Sequence, residues 1–136
     1  MAKRREYRVA GQAEPIPHFT DAVRAGELLF VSGIVPVDAE RQLVGGDDVV
    51  AQARAVFANM QDVLAAAGCT FADVVKVTVY LTDIRYRETV YRIMGRWLKG
   101  VYPVSTGLVV EALARPEWLV EIDATAVISE SKDADK

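Results

Sequence analysis

The sequence predicts an α+β fold built on an antiparallel or mixed sheet, and three stretches carry the prediction. Val49, Ala53, Val56, Phe57, Met60, Val63, Leu64 and Ala67 recur at the spacing of one helix face. Val75, Val77, Val79 and Leu81 alternate with Lys76, Thr78 and Tyr80, the period of a half-buried strand. Near the C-terminus Val120, Ile122, Ala124, Ala126 and Ile128 alternate in the same way with Leu119, Glu121, Asp123 and Thr125.

The polar, basic opening (residues 1–13) offers one short strand, Glu6–Val9. Leu28–Ser32, flanked by Gly26 and Gly33, reads as a buried strand, with Arg41–Val44 as its candidate partner. The first helix is framed by Asp47 in front and Gly68 behind. A second helix runs from about Ile84 to Leu98, because Tyr86, Val90, Ile93, Met94 and Trp97 form an apolar stripe that Gly100 and Pro103 end. Two strands, Leu108–Ala112 and Trp118–Ile128, follow, joined by a loop containing Pro116. Two helices on one face of such a sheet leave the other face bare, and a second subunit is the natural cover.

With 136 residues, 51% of them hydrophobic and 26% charged, the chain fits one domain, residues 1–128, and the polar stretch 129–136 reads as a disordered tail. A net charge of −3 gives no general attraction to nucleic acid or an anionic membrane. Basic residues gather locally, at Lys3, Arg4, Arg5 and Arg8 and along a second-helix face bearing Arg85, Arg92, Arg96 and Lys99, where a solvated surface is the simpler account. A single cysteine, Cys69, forms no internal disulfide, and the start carries no apolar signal core, so a cytoplasmic protein is expected. No apolar run reaches the length that spans a bilayer.

Glu121 and Asp123 share one face of an apolar strand, so a partly buried carboxylate there must be hydrogen-bonded or shifted in pKa. Glu121 could orient water or relay protons, or be satisfied by backbone N–H groups or an arginine; the residues alone leave both open. His18, the lone histidine, lies in PIPHFTDAV, where a solvent-facing loop position is simpler than a general base. One histidine and one cysteine supply no metal-ligand spacing and no nucleophile pair. Gly33, Gly45 and Gly46 form no phosphate loop.

Taken together, PIPHFTDAV, LLFVSGIVPVD, AQARAVFANMQDVLAAAG, DVVKVTVYLTD and LVEIDATAV resemble the RidA family of reactive intermediate deaminases, also called YjgF, from Pro15 to Ile128. The resemblance implies a chorismate-mutase-like fold, a homotrimer with clefts between subunits, and cofactor-independent hydrolysis of small enamines or imines. It implies no metal and no nucleic-acid partner, although some relatives are described as RNA-cleaving translation inhibitors. It makes Glu121 the catalytic residue and Gly33 part of the substrate site.

The pattern breaks at four positions. The family's substrate-gripping arginine aligns with Ser105, a cysteine with Gly107, a tyrosine with Phe19 and an asparagine with Tyr91. The loop ALARPEW is also one residue longer than in the deaminases. A serine offers one neutral hydrogen bond where an arginine clamps a carboxylate in two places. The expectation is therefore a substrate outside the small α-imino acids, lacking their carboxylate and held by Ser105, Thr106, Gly107, Tyr91 and Phe19 in a more apolar pocket. Loss of the arginine also leaves open a non-catalytic, metabolite-binding trimer.

Overall fold

A computed structural model describes residues 3–11 and 18–128. The approach through Pro15 and Pro17 and the tail at 129–136 lie outside them. In chain order the elements are β1 (Arg4–Tyr7), β2 (Ala22–Ala25), β3 (Leu28–Ile34), α1 (Val49–Ala66), β4 (Val74–Leu81), α2 (Arg87–Trp97), β5 (Val104–Val109) and β6 (Val120–Val127). The strands form a mixed sheet in the order β1-β2-β3-β6-β4-β5, antiparallel except where β5 runs parallel to β4. The sequence-predicted architecture is borne out: both helices lie on one face, with α1 packed on β3 and β6 and beside α2.

Why α1 forms is clear from its face. Ala53, Val56, Phe57, Met60, Val63 and Leu64 are all buried, and Phe57 stacks on Trp97 of α2 at 6.3 Å between ring centroids. Its N-cap is Asp48, one residue later than expected, because the Asp48 carboxylate accepts from the Val50 N–H at 2.9 Å. After the helix, Gly68 adopts a positive φ of 78°, which lets the chain turn away. The second helix begins as one 3-10 turn, Ile84–Tyr86, before the α-helix proper.

Four boundaries differ from expectation for identifiable reasons. Arg41–Val44 does not pair with β3; only an isolated bridge joins Leu43 to Val37. The edge it would have filled belongs to β2, which forms a hairpin with β3 through Gly26, at φ 65°, and Glu27. The first strand sits two residues earlier than predicted, at Arg4–Tyr7, in register with β2. A register shift between Val74 and Lys76 turns Val74 into the core and leaves Val75 exposed, so Val75 does not share the face of Val77, Val79 and Leu81. Finally, β5 starts at Val104 rather than Leu108 and ends at Val109, because its parallel ladder with β4 runs from Lys76↔Val104 to Leu81↔Val109.

One buried polar group ties this core to the loops above it. Gln52 is fully buried on α1, and its amide donates to the carbonyls of Gly46 and Glu117 at 2.6 and 2.9 Å and accepts from the Leu119 N–H at 2.8 Å. It thereby fixes the end of the long loop that delivers the chain into β6. Gln52→Leu would leave these backbone groups unpaired and is expected to destabilise the protein by roughly 3 kcal/mol, measured by urea unfolding.

Candidate functional site

β6 lies inside the sheet between β3 and β4, and its two faces have opposite chemistry. Val120, Ile122, Ala124, Ala126 and Ile128 are buried against the helices. Glu121, Asp123 and Thr125 therefore point to the helix-free side, as the alternation predicts. Asp123 is engaged there: the Tyr80 hydroxyl, across the β4–β6 pairing, donates to its Oδ2 at 3.0 Å. That bond and burial hold the Tyr80 hydroxyl above its ordinary pKa.

Glu121 has no such partner, and its side chain makes no hydrogen bond or ion pair among the described residues. Burial pushes its carboxyl above the ordinary glutamate value, and the charge of Asp123 pushes in the same direction. The carboxyl rests against Gly33 of β3. A Cβ built on Gly33 would collide with Glu121 Oε2 and lie 2.9 Å from Cδ, so only glycine admits this placement. The approach is made by a bulge: the register passes from Val31↔Ala124 to Ile34↔Ile122, setting Ser32 and Gly33 against the single residue Asp123.

Around this carboxyl opens a cavity of about 450 Å³, lined by Phe19, Gly33, Asn59, Arg41, Arg115, Trp118 and Glu121 among others. Two amides of α1 set its rim. Gln52 holds the loop on the Trp118 side, and the Asn59 amide donates to the Val35 and Val37 carbonyls at 3.1 and 2.8 Å. Arg41 reaches the cavity from a turn in which its own φ is 63°, stabilised by Asp38 Oδ1 accepting from the N–H groups of Glu40 and Gln42.

Other expected site residues gather elsewhere. The parallel register gives Ser105 and Gly107 the helix-side face of β5, and Thr106 the open face opposite Thr78. Ser105 Oγ and Tyr91 Oη are 2.9 Å apart, and the Arg87 guanidinium lies 4.4 Å above the Tyr91 ring. Within one chain, then, Phe19, Gly33 and Glu121 form one cluster, and Ser105, Gly107 and Tyr91 form another on the opposite side of the sheet. The Arg87 guanidinium also lies close over Gly107.

The family model described as Endoribonuclease L-PSP matches residues 10–128. The chain belongs to that family. Protein DfrA of Myxococcus xanthus is 44% identical over 77% of this chain and 79% of its own length. Human 2-iminobutanoate/2-iminopropanoate deaminase is 36% identical over 80% of this chain and 79% of its own. Among solved structures, Rv2704 of Mycobacterium tuberculosis, a member of the YjgF/YER057c/UK114 family, superposes with a TM-score of 0.79 at 32% identity, covering 93% of this chain and 100% of that one. The resemblance to the RidA or YjgF family is thus borne out in sequence and in fold.

Within this L-PSP framework the remaining candidates find plain places. His18 lies at an exposed bend and does not line the cavity. Cys69 is buried, with its thiol 3.9 Å from the Val127 carbonyl, which suits packing rather than attack on a substrate. Among the described residues no group of three or more His, Cys, Asp or Glu side chains could hold a metal ion, and no helix is long and apolar enough to cross a membrane. Sequence reasoning missed Arg41, Asn59, Arg115 and Trp118, which reach the cavity from loops or from the flank of α1, and Arg87, which no periodicity marks.

Because the folded state raises the Glu121 pKa, the stability this group contributes is complete below the unfolded carboxylate range and is lost as pH rises through the raised value. The stability difference between Glu121→Gln and the parent should therefore be flat in acid, shift in favour of the variant as pH rises through that value, and then level off. Chemical unfolding across pH 3–8, a range of about five units, checks this.

Proposed function

We propose that this protein is a cofactor-independent hydrolase of reactive imines or enamines, with Glu121 as its catalytic residue. The observation that carries the reading is a carboxyl raised in pKa and free of any cationic partner, set against Gly33 in a cavity large enough for a small metabolite. The human relative named as a 2-iminobutanoate/2-iminopropanoate deaminase supports the same chemistry. Its setting is the cytoplasm, in keeping with a sequence whose single cysteine can form no internal disulfide.

In this mechanism the Glu121 carboxylate takes a proton from water as the water oxygen bonds to the C=N carbon. Glu121 passes that proton to the imine nitrogen, giving a carbinolamine; it then takes the carbinolamine hydroxyl proton and delivers it to the amine nitrogen, which leaves as ammonia as the C–N bond breaks and the carbonyl forms. A carboxylate whose pKa is raised is a stronger base toward that water than an ordinary one. The second cluster, Ser105, Gly107 and Tyr91, binds the substrate, and Phe19 and Gly33 line the Glu121 side.

Those clusters lie apart within one chain, so the reading includes a homotrimer in which β5 of one copy closes the Glu121 cleft of the next. The helix-free sheet face supports it. Leu28, Phe30 and Val127 are exposed there, as are Val104 and Leu108 on the β5 edge, a breadth of apolar surface that a lone chain does not usually display. Because Ser105 occupies the position of the family's arginine, substrate preference is shifted away from small α-imino acids.

The family description favours one other reading, an RNA-directed role on the basic face of α2. Two of its four positive charges are already spent within the chain: Arg85 pairs with Asp83 at 2.5 Å and Arg92 with Glu88 at 2.8 Å. That leaves Arg96 and Lys99, a weak footprint for a phosphate backbone. A non-catalytic binding trimer differs from the hydrolase in turnover alone.

Ammonia release from freshly generated imines discriminates between these. Glu121→Ala should lower the enzymatic rate by about 10²- to 10⁴-fold. Equal rates with and without the carboxyl would remove Glu121 from the mechanism, and a parent protein that binds the product acid without accelerating hydrolysis would favour the binding trimer. Sedimentation equilibrium should return three times the chain mass.

A further inference from the structure

We propose that Arg87 is the specificity-determining residue of the second cluster, gripping a carboxylate on the substrate. This rests on the imine hydrolase reading above, with β5 of one copy facing Glu121 of another.

Arg87 opens α2, and its side chain lies across the helix-side face of β5. Its guanidinium is stacked 4.4 Å above the Tyr91 ring, and the Tyr91 hydroxyl is tied to Ser105 Oγ at 2.9 Å. Beneath them is Gly107. A Cβ there would collide with Arg87 Nη1 and lie 2.5 Å from Tyr91 Oη. The small residues at 105 and 107 are therefore what admit Tyr91 and Arg87 onto the strand. Any larger side chain at 107 would force the guanidinium to shift from its present place.

That guanidinium is oriented but unused. The acidic side chains on the same stretch serve other arginines, Asp83 pairing with Arg85 and Glu88 with Arg92. Arg87 itself makes no hydrogen bond or ion pair among the described residues, so the stacking contact fixes its plane and leaves its N–H donors for an outside acceptor. A planar fork held in place, with two hydroxyls beside it, matches a carboxylate in geometry and charge. Much of the ordering cost of binding is met before the ligand arrives.

The substrate class that follows is an imine or enamine bearing a carboxylate, not one lacking it. The positive group projects from α2 instead of from β5, so the departures at Ser105, Gly107 and Tyr91 form a single device that relocates the anion grip. The preference shift comes from where the carboxylate is held.

Calorimetric titration of the full protein with phenylpyruvate, the hydrolysis product of a larger carboxylate-bearing imine, and with its uncharged methyl ester tests this. The parent should bind the acid at least tenfold more tightly than the ester. Arg87→Ala should abolish that margin while ester affinity stays unchanged. Arg87→Gln, which keeps a long polar side chain but removes the charge and the fork, should do the same, and this variant decides the matter if Arg87→Ala fails to fold. Undiminished acid binding in both Arg87→Ala and Arg87→Gln, equal affinity for acid and ester in the parent, or no acid binding at all would overturn the proposal. Acid binding that depends on Arg87 in a protein with no hydrolytic turnover would sink the hydrolase reading and leave the anion grip standing.

Discussion

The contact between the Glu121 carboxyl and the bare backbone of Gly33 sets the terms for the rest of the site. An interior strand whose helix-facing side is wholly apolar has to put its polar residues on the opposite side, and in β6 that places two carboxylates close together. Asp123 finds the Tyr80 hydroxyl. Glu121 finds only space, and the space exists because β3 bulges at Ser32 and Gly33 and carries no Cβ where the carboxyl lies. A bulge of this kind weakens the ladder locally. Its position beside the one carboxyl raised by burial ties that irregularity to the chemistry of the cavity.

Rigidity around this carboxyl comes from α1, whose polar side chains reach over the sheet to the loops. Gln52 binds the segment entering β6, and Asn59 binds the segment leaving β3. The two amides are seven residues apart, two helical turns, so they project from nearly the same side of α1. One helix thus braces both strands whose approach creates the Glu121 environment. A fully satisfied buried amide can do this without the desolvation cost an unpaired one would carry.

Much of this was legible in the sequence, and what was not has physical causes. Period-two alternation in Val120–Ile128 placed Glu121 and Asp123 on one face correctly, because an interior strand packed on one side permits no other arrangement. The same reasoning failed at Val75, where a bulge shifts the phase by one residue, and at β5, whose Ser-Thr-Gly centre carries no apolar signal because one face meets Tyr91 and Arg87 and the other is open. β2 was missed because a four-residue strand containing Arg24 offers too little pattern to read. Arg87 left no trace at all: a charged residue at the start of a helix looks like solvated surface, and only the absence of a Cβ at Gly107, seen in three dimensions, gives it meaning.

That last point changes how the substitutions around the second cluster are understood. Set against the pattern that the family resemblance implies, Ser105, Gly107 and Tyr91 taken singly read as successive losses, and their sum suggests a site in decay. In space they are mutually dependent. The Tyr91 hydroxyl reaches Ser105 Oγ, Arg87 stacks on the Tyr91 ring, and the guanidinium lies where a side chain on residue 107 would have been. Independent erosion has no reason to open space on a strand and fill it from a neighbouring helix with a cation held by stacking. On the reading proposed above, α2 supplies a positive group held by stacking on Tyr91, while the Gly33–Glu121 pair on the other side of the sheet keeps the geometry the fold imposes.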